Sequence, residues 1–342
     1  MTGLLPCSYH RARPVGPRSR LQGGSLLFTY SDHVCLPALD LALDPPRRAR
    51  YAFVSHGHSD HVARHDGGIA SPATVALVAR RYGRTHLTPV AFGETIERAR
   101  HRVTLQPAGH ILGAAQVIID APDGRRLLYT GDFSVRARRT VEPAVPVHAD
   151  ILIMECTYGH PRYVFPPDEE IQERIQSFIE RTLAAERIPV LLGYSLGKAQ
   201  EAMAIVAALG YPVCVHPTIG RLAEIYRAFG IDLGSYIVAD GTVPEGYVVI
   251  APPGARRLPL PRPVRTLLLS GWALDPSTPF RLGVDEAVPL SDHADFAELV
   301  AFVRASQPTR IYTTHGPPSF ADYLRDLGFD AYHLGTSQLP LF

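Results

Sequence analysis

At 342 residues, with 46% hydrophobic and 20% charged side chains, the chain holds enough apolar material for one or two packed domains. A formal net charge of +1 excludes a polyanion binder that works through bulk charge, but it leaves room for a local basic groove. Lys198 is the only lysine, so 33 of the 34 basic residues are arginine, whose planar fork suits phosphate.

Residues 1–21 carry several arginines and prolines without an apolar core. They read as a disordered basic tail rather than a secretory signal. No apolar run approaches the roughly 18–20 residues of a membrane span, so no membrane association is expected. Cys7, Cys35, Cys156 and Cys214 are scattered, with no C-x-x-C pair. Neither a zinc ribbon nor a disulfide framework is indicated, and a reducing cytoplasm fits.

Strand-like runs follow over 26–30 and 34–43, the second ending at Asp40-Leu-Ala-Leu-Asp44-Pro45. Tyr51–Ser55 reads as a buried strand, and 74–82 has helical spacing. Strands are expected at 103–106, 115–120, 126–130 and 151–155, with a hairpin turn at Pro122-Asp123-Gly124. From about Pro161 strands and helices alternate, with helices over 168–186, 198–209 and 219–229 and strands over 189–193 and 212–215. That spacing predicts a small parallel sheet. A Pro/Arg-rich stretch, 252–263, reads as a linker. Strand 267–270, helix 296–306, strand 310–314 and helix 319–327 close the chain.

The densest chemistry is His56-Gly-His58-Ser-Asp60-His61, directly after the 51–55 strand. On an extended segment His56 and His58 point to one side. Three imidazoles and a carboxylate in six residues exceed what one ion can use, but they suit two neighbouring zinc ions placed to hydrolyse a phosphate ester. Further ligands are expected where later strands end: His110 in a glycine-flanked loop, Asp132 in Thr130-Gly-Asp132, and His315 in Thr314-His315-Gly316. Ligand counting assigns His56, His58 and His110 to a first zinc, and Asp60, His61 and His315 to a second. Asp132 bridges them. Asp44 or Asp40 is expected to orient a ligand by hydrogen bonding.

Together these residues resemble the metallo-β-lactamase superfamily. Met154-Glu155-Cys156, Ser195-Leu-Gly-Lys198-Ala-Gln200-Glu201, Ser270-Gly271-Trp272, Leu290-Ser-Asp-His293-Ala-Asp295 and Thr314-His315-Gly316 narrow the likeness to its β-CASP nucleases. Leu43-Asp44-Pro45, Gly193-Tyr194, Val215-His216 and Val249-Ile-Ala-Pro-Pro253 are similar to the bacterial DNA ligase-associated exonucleases of that group. The resemblance runs from about residue 25 to the end. It implies an α/β chain: a metallo-β-lactamase αββα sandwich with a compact β-CASP-like α/β insert. The corresponding boundaries are 22–160 for the first part of the metallo-β-lactamase domain, 161–263 for the insert and 264–342 for the second part.

The function implied is a zinc-dependent phosphodiesterase, a DNA exonuclease of repair, with two Zn2+ or alternatively Mn2+. Single-stranded DNA or DNA ends are the expected substrate, and a DNA ligase and a helicase the implied partners. Asp60 and Asp132 act in catalysis through the metals. His293 is the expected general acid, oriented by Glu155. Lys198 and Arg162 are expected at the nucleic-acid backbone, with Arg136, Arg138 and Arg139 as further contacts. His216 and Trp272 have weaker claims, on the cleft and on a stacked base. The alternatives are an RNA-processing nuclease of the same fold, which the sequence does not separate, and a small-molecule metallohydrolase. The insert and the Glu155, His293 and His315 set argue against the latter.

Overall fold

The computed structural model describes residues 26, 28–240, 243–255, 260 and 263–335. The basic tail 1–21 lies outside these residues. The described residues divide into two compact units, one within 1–136, 142–162 and 294–342 and the other within 137–141 and 163–293.

The first unit opens with a six-stranded sheet: β1 (Thr29–Tyr30), β2 (Val34–Leu36), β3 (Leu41–Leu43), β4 (Ala52–Phe53), β5 (Gly68–Ala70) and β6 (Leu87–Pro89), hydrogen-bonded in chain order. The expected single strand over 34–43 is broken by a 3-10 turn at Pro37–Leu39, because Asp40 takes a left-handed conformation (φ 46°) that reverses the chain. From β3 onward the pairs are parallel. Helix α1 (Pro72–Tyr82) starts at Ser71, whose Oγ accepts from the Thr74 amide at 3.2 Å, with Pro72 in the first turn.

A second sheet begins with the antiparallel run β7 (Thr95–Arg98), β8 (His101–Pro107), β9 (Ala115–Asp120) and β10 (Arg126–Tyr129), then β11 (Ile151–Glu155) parallel to β10. Leu36, Leu41, Leu43, Phe53 and Ile69 of the first sheet share one buried cluster with Val103, Leu105, Val117, Ile119 and Ile153 of the second. The alternation of buried residues along β8 delivers every second side chain to that layer. Cys156 and Cys214 are buried free thiols.

The second unit contains α2 (Asp168–Ala184), β12 (Ile188–Leu192), α3 (Lys198–Ala208), β13 (Val213–Val215), α4 (Pro217–Ala228), β14 (Tyr236–Val238), β15 (Val248–Ala251), β16 (Val264–Leu269), α5 (Thr278–Leu282) and β17 (Glu286–Val288). Its six strands are parallel throughout, in the order β14-β13-β15-β12-β16-β17. Crossover helices over a parallel sheet explain the near-continuous apolar runs of β12 and β15.

Here the boundary differs from the sequence expectation. Residues 264–293 belong to this unit, because β16 pairs with β12 from Ile188↔Val264 to Leu192↔Leu268 and β17 pairs with β16. The apolar run at 267–269 suits either sheet, so only pairing decides. Residues 137–141 join the same unit: buried Glu201 accepts from the amides of Arg139 and Thr140 at 3.1 Å each and from the Thr140 hydroxyl at 2.6 Å.

The chain then returns to the first unit with α6 (Phe296–Ser306), β18 (Arg310–Thr314), α7 (Ser319–Asp326) and β19 (Ala331–His333). Asp295 and Glu298 form a capping box at the start of α6. β18 adds parallel to β11, and β19 to β18, completing a seven-stranded sheet. Among the described residues no helix is long and apolar enough to cross a membrane. Removing the Glu201 carboxylate strands buried donors, so Glu201→Ala should lower unfolding stability by about 2–3 kcal/mol. Urea denaturation followed by circular dichroism checks this, and a shift in the midpoint too small to resolve would count against it.

Candidate metal centre

Asp44 organises the site. It follows β3 in a left-handed conformation (φ 43°) and is 7% exposed. Its carboxylate accepts from the Ser55 amide at 2.7 Å, the Ser55 hydroxyl at 2.6 Å, the Tyr129 hydroxyl at 2.9 Å and His61 Nδ1 at 3.0 Å. The ends of β3, β4 and β10 are therefore tied to one anion. Donation from Nδ1 leaves His61 Nε2 as the free lone pair. That atom lies 3.5 Å from Asp132 Oδ2 and 3.7 Å from Asp60 Oδ2. Asp40 is employed elsewhere: it caps the 3-10 turn and pairs with Arg50 at 3.6 Å.

The three remaining imidazoles converge. His58 Nδ1 lies 3.0 Å from His56 Nε2 and 3.0 Å from His110 Nε2. Asp132 Oδ2 is 3.7 Å from His56 Nε2 and 3.8 Å from His110 Nε2. The edge of a tetrahedron around zinc with bonds near 2.0–2.1 Å is about 3.3 Å, so these four donors fit such an ion. The rings of His61 and His315 lie with centroids 5.4 Å apart, tilted by 31°, and His315 Nδ1 is held by the Thr314 hydroxyl at 3.0 Å. The structure thus brings Asp60, His61, Asp132 and His315 together beside His56, His58 and His110.

Burial, then the neighbouring His61, His110 and His58, pushes the His56 imidazole well below the usual histidine range. It is the neutral form that binds metal. At His61 burial also pulls the pKa down, but the carboxylates of Asp132 and Asp44 outweigh it and the net shift is well upward. Burial, followed by Asp44, holds the Tyr129 phenol well above its ordinary range, so it stays a donor.

Two glycines permit the close approach of the ligand loops. At Gly109 (φ 75°) a Cβ would stand 2.0 Å from the Ser134 carbonyl oxygen, and at Gly316 one would stand 2.0 Å from that of Cys156. Glu155, 1% exposed at the end of β11, accepts from the Phe133 amide at 3.3 Å and the Thr157 amide at 2.8 Å. It therefore holds the loop that carries Asp132. Sequence reasoning missed Ser55 and Tyr129. Tyr129 lies 85 residues from Asp44, in an apolar strand whose pattern gives no sign of the bond.

His293 lies in the second unit as its last residue; its amide donates to Ser291 Oγ at 3.1 Å and its Nε2 is 3.8 Å from Asp292 Oδ1. Lys198 has a different task from the one expected. It is 6% exposed and ion-paired with buried Asp292, so its charge is already neutralised inside the unit. Arg136 is paired with Asp295 at 3.1 Å and Glu298 at 2.6 Å. Arg138 Nε is buried, and Arg139 reaches Gln172 at 3.2 Å. Arg162 is exposed. Trp272 packs edge-on against Tyr163 at 5.3 Å, and His216 caps α4.

Comparison with known proteins adds the lineage. Residues 279–334 match the family model of the Zn-dependent metallo-hydrolase RNA specificity domain. The chain is 41% identical to a probable DNA ligase of Opitutus terrae, over 91% of this chain and 31% of that protein. It is 35% identical to the cleavage and polyadenylation specificity factor subunit 3 of Dictyostelium discoideum, over 52% of this chain and 27% of that protein. These likenesses support a place among the metallo-β-lactamase β-CASP nucleases. The chain spans about a third or less of the length of these two relatives. A protein of unknown function from Enterococcus faecalis V583 shares the fold at TM-score 0.56 and 15% identity, covering 77% of this chain and 74% of that one. The donor set described above has the composition and spacing of a metal-binding centre.

If Asp44 orients His61, Asp44→Ala should weaken zinc binding about 10- to 100-fold while Asp40→Ala leaves it unchanged. Chelator-competition titration decides, and the reverse pattern would transfer the role to Asp40.

Proposed function

We propose that this chain is a metal-dependent nuclease that hydrolyses phosphodiester bonds in single-stranded DNA, from DNA ends, with two zinc ions or alternatively manganese. The observation that carries this reading is the convergence of His56, His58 and His110 with Asp132, four ligand atoms all within 4.8 Å of one another, next to His61. His56, His58, His110 and Asp132 would hold one ion, and Asp60, His61, His315 and the shared Asp132 the other. Bound zinc would supply Lewis acidity toward the phosphoryl group and a water activated near neutral pH.

The chain's own residues do the rest. Asp44 accepts a hydrogen bond from His61 Nδ1 and keeps Nε2 aimed at Asp132. Glu155 steadies the Asp132 loop through the Phe133 amide. His293 is the general acid: its imidazolium gives a proton to the leaving sugar oxygen. The DNA assignment is supported by the 41% likeness to a protein named as a probable DNA ligase. On this reading the enzyme works with a DNA ligase and a helicase in repair, in the cytoplasm. A second reading, RNA processing, is favoured by the match of residues 279–334 to the Zn-dependent metallo-hydrolase RNA specificity domain.

Protein purified without chelator should approach two transition-metal ions per chain by elemental analysis. It should shorten end-labelled single-stranded DNA progressively and slow as salt rises. Strong preference for a matched RNA oligonucleotide would move it to RNA processing. Turnover of a thioester or lactam with inertness on both nucleic acids would make it a small-molecule hydrolase.

His293→Ala should lower kcat by roughly 10²–10⁴-fold with metal content intact. His315→Ala should instead reduce occupancy of the second ion. If the two variants exchange these phenotypes, the acid and the ligand exchange places.

A further inference from the structure

The unit that carries the metal centre also contains a half-open cavity of about 620 Å³. One wall is the segment after the metal motif, since Val62 directly follows His61; the other is the end of α1 and the turn after it. Val62, Val78 and Tyr82 line it, and all three belong to a small apolar cluster with Ala52, Val54 and Leu87. Tyr82 contributes more than a ring. Its hydroxyl is buried, with no hydrogen-bond partner among the described residues.

The charged groups around this floor are unequal. Arg48 is neutralised by Asp66, with Nε 2.6 Å from the carboxylate. His65 is buried, and its Nδ1 lies 3.3 Å from the Ala49 amide. Arg64, Arg84 and His86 are exposed at the rim and have no carboxylate partner among the described residues. Two unneutralised guanidinium groups at one cavity contrast with a chain whose formal net charge is only +1. Elsewhere in this unit arginines such as Arg126, Arg136 and Arg310 are paired with acids.

We propose that this cavity binds a nucleoside monophosphate unit, with its phosphate on Arg64 and Arg84 and its base over Val62, Val78 and Tyr82. Bare phosphate would need only the guanidinium pair. The apolar floor and the lone phenol call for a flat ring with a polar edge. The volume falls within the roughly 300–1,000 Å³ of small-molecule sites. A free mononucleotide and the terminal nucleotide of a strand share this chemistry. The site is separate from the metal donors, and its occupancy does not depend on hydrolysis.

The test is binding to the full metal-loaded chain by isothermal titration calorimetry. The probes are dAMP, a 5′-phosphorylated six-nucleotide DNA with phosphorothioate links to resist cleavage, deoxyadenosine and inorganic phosphate. The Arg64→Ala/Arg84→Ala double variant should weaken dAMP and the oligonucleotide at least 10-fold, with unchanged zinc content reporting an intact fold. Tyr82→Phe should weaken dAMP by about 2- to 5-fold and inorganic phosphate not at all. An oligonucleotide that binds at least 10-fold tighter than dAMP makes the occupant a strand end; equal affinity makes it a free nucleotide. Failure of both to bind, or equal binding by the double variant and the parent, overturns the proposal. Phosphate as tight as dAMP overturns the nucleoside part. None of these outcomes depends on turnover, so the nuclease reading stands or falls separately.

Discussion

A buried carboxylate is tolerated only when its lone pairs are filled, and Asp44 accepts four hydrogen bonds, two from Ser55 after β4, one from Tyr129 at the end of β10 and one from His61. The metal centre depends on this one anion. It fixes the tautomer of His61, and it fixes Ser55, whose hydroxyl lies 2.9 Å from His56 Nδ1. Two imidazoles of the candidate metal centre are thus oriented from a single point behind the donor cluster. The left-handed backbone of Asp44 turns its side chain away from the strand and into that position.

The candidate ligands come from loops far apart in sequence, and close backbone approach substitutes for long side chains. Gly109 and Gly316 let the His110 and His315 loops lie against the carbonyls of Ser134 and Cys156. Glu155 supplies acceptors for the amides of Phe133 and Thr157, and the Thr157 hydroxyl donates to the His315 carbonyl at 3.1 Å. Each loop is therefore held by hydrogen bonds that do not consume the metal-facing atoms. Such support is what keeps ligand nitrogens near 3 Å apart instead of splayed by mutual repulsion.

Part of the arginine-rich composition serves internal order. Arg136 bridges Asp295 and Glu298 at the head of α6, and Arg126 and Arg310 pair with Asp120 and Asp330. The only lysine is buried against Asp292 rather than offered to a ligand. A residue's type is thus a poor guide to its availability. An acid brought near by the fold neutralises a cation that the sequence shows in isolation.

The metal motif, the strand-end positions of His110, Asp132 and His315, and the alternating strands and helices of the insert were legible in the sequence. Ligand type and spacing are local properties, and period-2 or period-3.6 burial leaves a mark in the chain. Three things were decided only by tertiary structure. Pairing of β16 with β12 moved the end of the insert from 263 to 293, because an apolar run does not name its partner strand. The choice of Asp44 over Asp40 needed the Ser55, His61 and Tyr129 donors in place, one of them 85 residues away. The burial of Lys198 required Asp292, 94 residues distant, because charge compensation acts through space and leaves no local trace in sequence.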